Sequence, residues 1–418
     1  MTRKDRLFPK DFLWGAATAA HQVEGNTHNQ WTVWELENAR SLANQAHGYL
    51  GEYAGWDDVT PEAGKPQNYI SGTATDHYNR YEEDFDLLER MNMNAYRFSI
   101  EWSRVEPEEG AWNAEAINHY KQYLKELRKR NIEPMVTLFH FTLPVWFAEM
   151  GGFERRANIK YFTRFAEKVV RELGADMRYI ITINEPEVYT ACSYIMEMWP
   201  PAERNFFRAW RVMNNLATAH NRTAKIIHSM NRRYKVSIAK HSLRVYPGDK
   251  AVLSRASAKV AQYFADDYFL KRVVKNCDFL GVNYYQSIRL FGYSMHNIEQ
   301  PRNDLNWPMQ PGDIESVLVR LYQAYKLPII ITENGLADGE DAHRRWWIEE
   351  TMKGLRGAMD RGVDLRGYMH WSLTDNFEWS FGKWPRFGLA AVDYKTGKRT
   401  LRPSAVWYGK VIKKLRDL

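Results

Sequence analysis

Short runs of β-branched and aromatic residues alternate along this chain with longer segments of helical period. The strand-like runs fall at residues 12–18, 95–102, 134–140, 179–185, 235–241, 279–285, 328–333 and 365–372, each of strand length. Between them the apolar positions recur three or four apart. Ile159, Phe162, Phe165, Ala166, Val169, Val170 and Leu173 share one helix face, and Tyr81, Phe85, Leu88 and Met91 share another. Alternation of this kind predicts a parallel sheet with crossover helices. Eight evenly spread units, with no linker rich in Pro, Gly or Ser, predict an α/β fold closed as a single (β/α)8 TIM barrel over residues 1–418. An open doubly wound sheet fits less well, because no Gly-x-Gly-x-x-Gly fingerprint follows an early strand.

Composition narrows the class. A chain of 418 residues is two to three times the usual domain length, which calls for two domains or one large core, and the even spacing favours one core. With 44% apolar and 26% charged residues it is too apolar for general disorder and too polar for an integral membrane protein. No apolar stretch approaches the ~20 residues that span a bilayer. The charged start, residues 1–9, is followed by no apolar run of signal-peptide length. Cys192 and Cys277 lack a Cys-x-x-Cys spacing and are expected to be inert buried thiols in a reducing compartment, so the expected location is cytoplasmic. The net charge of +7 raises the question of nucleic acid. Its local clusters, Arg128-Lys129-Arg130, Asn231-Arg232-Arg233 and Lys413-Lys414, end helical patterns, where cations complement the helix dipole, and no nucleic-acid partner is expected. Sixteen Trp beside 24 Tyr and 19 Phe exceed what a core needs, which places some rings against a ligand.

In such a barrel the chemistry sits at the C-terminal ends of the strands. The residues closing the runs are Arg97 to Trp102, His140, Asn184-Glu185, Asn283-Tyr284-Tyr285, Glu333-Asn334 and His370-Trp371. Two of these ends match in kind: Glu185 closes Ile180-Ile-Thr-Ile-Asn-Glu-Pro, and Glu333 closes Ile329-Ile-Ile-Thr-Glu-Asn-Gly. Each carboxylate follows a buried Ile/Thr strand and precedes a Pro or an Asn-Gly expected to stop it. By chain order they fall on strands four and seven, across the barrel mouth from each other. Glycosidic bond cleavage needs such a pair, one group to protonate the leaving oxygen and another to meet the positive charge growing on the sugar ring.

The motifs then extend over nearly the whole chain. They run from Phe8-Pro-Lys-Asp-Phe-Leu-Trp-Gly through Tyr96-Arg-Phe-Ser-Ile-Glu-Trp-Ser-Arg, Thr182-Ile-Asn-Glu-Pro, Ile331-Thr-Glu-Asn-Gly and Trp371-Ser-Leu-Thr-Asp-Asn-Phe-Glu-Trp to Arg386-Phe-Gly-Leu-Ala-Ala-Val-Asp-Tyr. In this order they resemble the family 1 glycoside hydrolases, which include β-glucosidases and β-galactosidases. The resemblance implies a retaining double displacement, with Glu333 as nucleophile and Glu185 as acid/base. Glu333 must then be ionised, with Arg97 beside it and the Tyr285 hydroxyl donating to it, while Glu185 is kept protonated by burial and by the Glu333 charge. It further implies that Gln22 and Glu378 bind the 4-hydroxyl region, that His140 and Trp379 address the 3-hydroxyl and Asn184 the 2-hydroxyl, and that Trp371 forms the platform. Asn283 and Phe387 complete the substrate-binding set.

Glu378 bears on the substrate class, since members acting on 6-phosphoglycosides resemble Ser there, with Lys and Tyr further along the loop. Here Pro385 and Phe387 hold those two places, and a carboxylate repels a phosphate; Lys383 is the cation that argues the other way, and it falls two residues early. Unphosphorylated β-D-glycosides are therefore expected, as disaccharide, aryl or alkyl glycosides. Glu101 departs from the Ser of many members, and the short chain trims the loops on the leaving-group side, which suggests an open subsite. A metal-dependent barrel hydrolase is the rival enzyme, but His21, His140, His241 and His370 fall on different elements with no His-x-His or His-Glu-x-x-His spacing. No metal and no cofactor are expected. A sugar-binding barrel without activity would be expected to have lost one carboxylate, and both are present. A homo-oligomer is left open. Among the tryptophans, Trp102, Trp146, Trp307 and Trp384 are expected near the mouth, and Trp346, Trp347 and Trp407 in packing.

Overall fold

The computed structural model describes residues 8–50, 61–295 and 301–417. Eight parallel strands close on themselves: β1 (Leu13–Ala17), β2 (Ala95–Ser99), β3 (Glu133–Phe139), β4 (Tyr179–Asn184), β5 (Lys235–His241), β6 (Leu280–Asn283), β7 (Ile329–Gly335) and β8 (Leu365–Trp371). Each pairs with its neighbours in chain order, and β1 pairs with β8 to close the ring. Every predicted run contains or overlaps one of these strands. The charged residues 1–7 of the N-terminal reading lie outside the described residues.

The helical periodicities have the same physical origin in the structure. The helix Ile159–Leu173 buries Ile159, Phe162, Phe165, Ala166, Val169, Val170 and Leu173 against the barrel, and His77–Arg90 buries Phe85 and Leu88 while Tyr81 is half-buried. Asn113 and Asn205 cap the helices Ala114–Lys129 and Phe206–Met230 by accepting backbone N–H bonds in the first turn. The basic clusters sit at helix ends as expected. Arg128 forks onto Glu133 at 2.6 and 2.8 Å, Arg130 meets Glu126 and Asp86, and Arg233 donates to the Gly174 carbonyl. Lys414 is in the last turn of Pro403–Asp417.

Strand ends carry the irregularities that matter for the site. The pairing of β4 with β5 shifts register between Ile181 and Asn184, and that of β7 with β6 shifts between Ile331 and Glu333. Both carboxylate strands are thus irregular just where Glu185 and Glu333 emerge, which re-aims the side chains. The Asn-Gly expected to stop the seventh strand does not stop it, since β7 runs through Gly335. Asn334 instead braces the wall: it donates to the Tyr284 carbonyl at 2.6 Å and accepts from Trp347 Nε1 at 3.0 Å and from the Tyr368 hydroxyl at 2.9 Å. Gly335 is needed because a Cβ there would lie 1.7 Å from the Trp371 carbonyl oxygen. Outside the barrel, strands Arg244–Pro247, Ser287–Phe291 and Ser294–Met295 form a small sheet that the periodicity reading missed, with its own core of Val245, Ala258 and Leu290.

Candidate active site

A cavity of about 490 Å³ opens at the C-terminal end of the barrel. Gln22, His140, Asn184, Glu185, Tyr285, Glu333, Trp371, Glu378, Trp379 and Phe387 line it. Arg97 and Asn283 lie behind that lining and touch it through the carboxylates. The structure therefore gathers the whole predicted set into one place, although its members lie up to 365 positions apart in the chain.

The two strand-end carboxylates occupy different electrostatic settings. Glu333 is met by two fixed donors. Arg97 Nη1 donates to its Oε1 at 2.5 Å and the Tyr285 hydroxyl to its Oε2 at 2.7 Å, while the His140 Nε2 stands 4.0 Å from Oε1. Arg97 is itself immobilised, giving its remaining donors to Thr137 Oγ1, the Thr332 carbonyl and Asn184 Oδ1. Among the described residues Glu185 has one donor, Asn283 Nδ2 at 2.8 Å, and Asn283 is oriented by the Thr332 hydroxyl, which donates to its Oδ1 at 2.6 Å. Burial raises both carboxyls. At Glu333, Arg97 and Tyr285 pull against that rise; at Glu185 the neighbouring Glu333 charge adds to it, which carries Glu185 well above the usual carboxylate range.

The wall around the pair is built for hydroxyl groups and ring faces. Burial lifts the Glu378 carboxyl to about 7, with Asn376 opposing the rise. Gln22 Nε2 and Asn376 Nδ2 both donate to Glu378 Oε2, at 3.3 and 2.7 Å. Asn184 Nδ2 donates to His140 Nε2 at 3.1 Å, and burial with the Arg97 charge keeps that imidazole neutral, its pKa well below the ordinary value. Gln22 Oε1 and His140 Nδ1 are buried with no hydrogen-bond partner among the described residues. Unsatisfied polar atoms in a cavity wall are costly unless something else bonds them. Trp371 stacks on His140 at 5.9 Å, and Trp379 lies 5.2 Å from Phe141 and 5.6 Å from Trp199, so the rings form one continuous surface. Three residues at the rim, Phe141, Glu185 and Trp379, hold positive φ of 73°, 38° and 50°, strain of a kind that persists where the surroundings over-determine it.

Several expectations change. Of the four tryptophans assigned to the mouth only Trp307 lines the cavity. Trp102 is buried against Phe147 and Phe165, Trp146 packs on Trp102 and Tyr161, and Trp384 is buried. Trp346 is partly exposed at 37%, whereas Trp347 is core and bonded to Asn334. Cys192 is not core either; it is half-buried and lines the cavity, with burial pushing its thiol up to about 12. Lys383 is absent from the lining and stands 5.6 Å from the Tyr394 ring, where Arg386 also lies at 4.7 Å. Sequence reasoning missed Phe141, Glu187, Met198, Trp199 and Leu243 as lining residues. Glu187 stands in the first turn of the helix Pro186–Tyr194 and the other four in loops after the strands, where no strand pattern marks them; for Phe141 and Trp199 the aromatic excess was the only signal. The histidines meet separate partners, His21 at Glu35 and His370 at Tyr368, and no group of metal-binding character is found among the described residues.

A closed parallel barrel whose mouth holds two differently tuned buried carboxylates amid rings and hydroxyl-binding amides has the architecture of a glycosidase. The chain belongs to glycosyl hydrolase family 1, whose model matches residues 4–279 and 271–416. It is 30% identical to β-glucosidase A of Thermotoga maritima over 98% of both chains, and 29% identical to a 6-phospho-β-galactosidase of Clostridium acetobutylicum over 98% of both. Among solved structures, a β-glycosidase from Pyrococcus horikoshii superposes with a TM-score of 0.85 at 34% identity, covering 98% of this chain and 95% of that one. The protein is a glycosyl hydrolase of β-glucosidase type. No helix among the described residues is long and apolar enough to cross a membrane.

Proposed function

We propose that residues 1–418 act as one cytoplasmic catalytic unit, a retaining, exo-acting β-glycosidase of unphosphorylated β-D-glucosides that also accepts galactosides and fucosides. The carrying observation is the asymmetry between the carboxylates: Glu333 is bonded by Arg97 and Tyr285, whereas Glu185 accepts a single amide. A carboxylate held by a cation and a phenol is the better nucleophile, and one lifted by burial and a neighbouring charge is the better proton donor. The retaining course is supported by the chain's membership of glycosyl hydrolase family 1.

Glu333 attacks the anomeric carbon as Glu185 passes its proton to the departing glycosidic oxygen, which leaves as the alcohol. The same Glu185, now a carboxylate, takes a proton from water, and that water displaces Glu333 to release the sugar with its configuration retained. Gln22, Glu378, His140, Trp379, Asn184 and Asn283 bind the hydroxyls, and Trp371 and Phe387 supply apolar faces. The 6-phosphoglycoside reading has the Clostridium relative behind it. Against it stands the loop itself, where Glu378 replaces the Ser, and the uncharged Pro385 and Phe387 the Lys and Tyr, of the phosphoglycoside pattern.

Initial rates on the 4-nitrophenyl β-glucoside, galactoside, fucoside, mannoside and 6-phosphoglucoside test the assignment. The glucoside is expected to lead and the 6-phosphoglucoside to be at background. A 6-phosphoglucoside rate equal to or above the glucoside rate overturns it.

A further inference from the structure

Behind the Glu185 side of the cavity lies a chain of buried charges that the displacement chemistry leaves unused. Glu187 sits in the first turn of the helix Pro186–Tyr194, two residues past Glu185, and both its carboxylate oxygens are buried. Its hydrocarbon stem contributes to the cavity wall, while Lys240 Nζ, on β5 and 1% exposed, approaches its Oε1 to 2.7 Å. The same Nζ stands 3.5 Å from Asp266 Oδ1 and donates to the carbonyls of His241 and Ala265. Asp266 is fully buried in a π-helical turn, Tyr263–Asp267, where Gln262 Nε2 donates to its Oδ2 at 2.7 Å and Arg320 joins it from the helix Ile314–Tyr325.

Glu187, Lys240, Asp266 and Arg320 thus alternate in sign from the acid/base helix to the outside of the barrel, and Asp267 adds a further carboxylate 3.9 Å from Arg320 at the outer end. Buried ion pairs seldom add net stability over apolar packing, and π-turns occur disproportionately at functional sites. Glu185 is also the residue whose backbone most needs holding, since it starts its helix at φ 38° and ψ 62°.

We propose that the Glu187–Lys240 pair is a positioning device for the acid/base: it pins the turn carrying Glu185 to β5 and keeps the charge behind that carboxyl balanced. The inference rests on the reading of Glu185 as acid/base. The groups facing Glu185 are Glu333 from β7, Arg97 from β2, Asn283 at the end of β6 with Tyr285 beyond it, and Cys192 and Glu187 on its own helix; Lys240, Asp266, Arg320 and, beyond them, Asp267 stand behind Glu187. Removing the Glu187 charge alone takes a negative charge from beside Glu185 and leaves Lys240 with only Asp266 as counter-charge. Glu185 then gives up its proton more easily, so the alkaline limb of kcat/KM moves to lower pH. Removing Lys240 as well restores the balance.

The test is the pH dependence of kcat/KM on 4-nitrophenyl β-glucoside for Glu187→Gln, Glu187→Gln/Lys240→Met and the parent enzyme. Glu187→Gln is expected to lower the alkaline limb by about half a unit or more, some threefold in proton affinity, and the double variant to recover most of that shift. A smaller or upward shift in Glu187→Gln, or a double variant no nearer the parent, overturns the proposal. Should Glu187→Gln not fold, Asp266→Asn removes a negative charge from the same system and is held to the same downward shift. Glu185→Gln, assayed on the 2,4-dinitrophenyl glucoside, separates the two readings. An alkaline limb that persists there overturns the acid/base assignment itself, whereas a limb lost there but unmoved in Glu187→Gln overturns only the positioning role.

Discussion

The barrel mouth and the groove beside the small outer sheet are both concave, and the groove is the larger, at about 820 Å³ against about 490 Å³. Their walls differ in how the polar groups are held. The groove is lined by Arg244, Arg255, Lys259 and Arg320; Arg255 and Lys259 are exposed, and Arg244 spends its charge on Asp313 at the surface. Such cations are solvated and screened, and pairs among them are worth little. At the mouth, by contrast, Glu185 and Glu333 are buried and Glu378 is half-buried, and all three face donors that cannot move away. Desolvation against fixed partners is what separates two carboxyls of the same kind into different protonation roles. Volume says where a molecule fits, and convergence of desolvated polar groups says where bonds are made.

The strongest test of that contrast removes the carboxylates themselves. Glu333→Ala is expected to lower kcat/KM by about 10⁴-fold or more, since it deletes the nucleophile and not merely a contact. Azide or formate should restore part of the turnover by entering the space left by the side chain. Glu185→Ala should spare the first step on 2,4-dinitrophenyl glycosides, whose leaving groups need little protonation, while alkyl glucosides lose nearly all activity. Steady-state rates on the two substrate types decide it; normal turnover by Glu333→Ala would remove the basis for calling the mouth the catalytic centre.

How much of this was readable beforehand follows from where each signal lies. Barrel strands buried on both faces must be short apolar runs, so all eight were visible, and the carboxylates were visible because each closes such a run. The site residues on strand ends, Arg97, His140, Asn184, Asn283 and Trp371, came with them. Tyr285 closes its predicted run although the strand itself ends at Asn283, and Gln22, Glu378, Trp379 and Phe387 lie beyond the strands and were reached through the family resemblance. Trp199 and Leu243 sit in loops whose course depends on tertiary packing, and nothing local marks them. Trp102 illustrates the converse error: it follows β2 directly, yet turns outward into Phe147 and Phe165 because the short helix Trp102–Val105 points it away from the mouth. Asn334 misled in another way, since an Asn-Gly pair read as a turn is a strand end bonded to three elements.

A smaller effect probes the support beneath the carboxylates. Arg97 is buried and bonded to Glu333, Asn184, Thr137 and the Thr332 carbonyl, so Arg97→Met strips one partner from a buried pair and is expected to cost about 3–5 kcal/mol of stability. The variant that still folds should lose ~10²–10³-fold in kcat/KM. Its acid limb should also move. Arg97 lowers the Glu333 carboxyl, so without it Glu333 holds its proton to higher pH and the acid limb of kcat/KM rises. An acid limb unchanged in Arg97→Met, measured below the thermal transition, would show that Arg97 does not act on the nucleophile.

The groove gives the smallest effect and completes the comparison. Arg255→Ala and Lys259→Ala, singly or together, remove exposed cations from the larger concavity without touching any desolvated pair. Surface changes of this kind usually leave stability nearly unaltered, so kcat/KM on 4-nitrophenyl β-glucoside is expected to stay within about twofold and Tm within about 1 °C. Arg320 is the instructive exception, because it lines the groove and also completes the buried chain through Asp266. Arg320→Ala should therefore lower Tm while the two exposed variants do not. A tenfold fall in kcat/KM in Arg255→Ala/Lys259→Ala would mean that the groove is coupled to the reaction through its solvated charges, and the distinction between the two cavities would no longer hold.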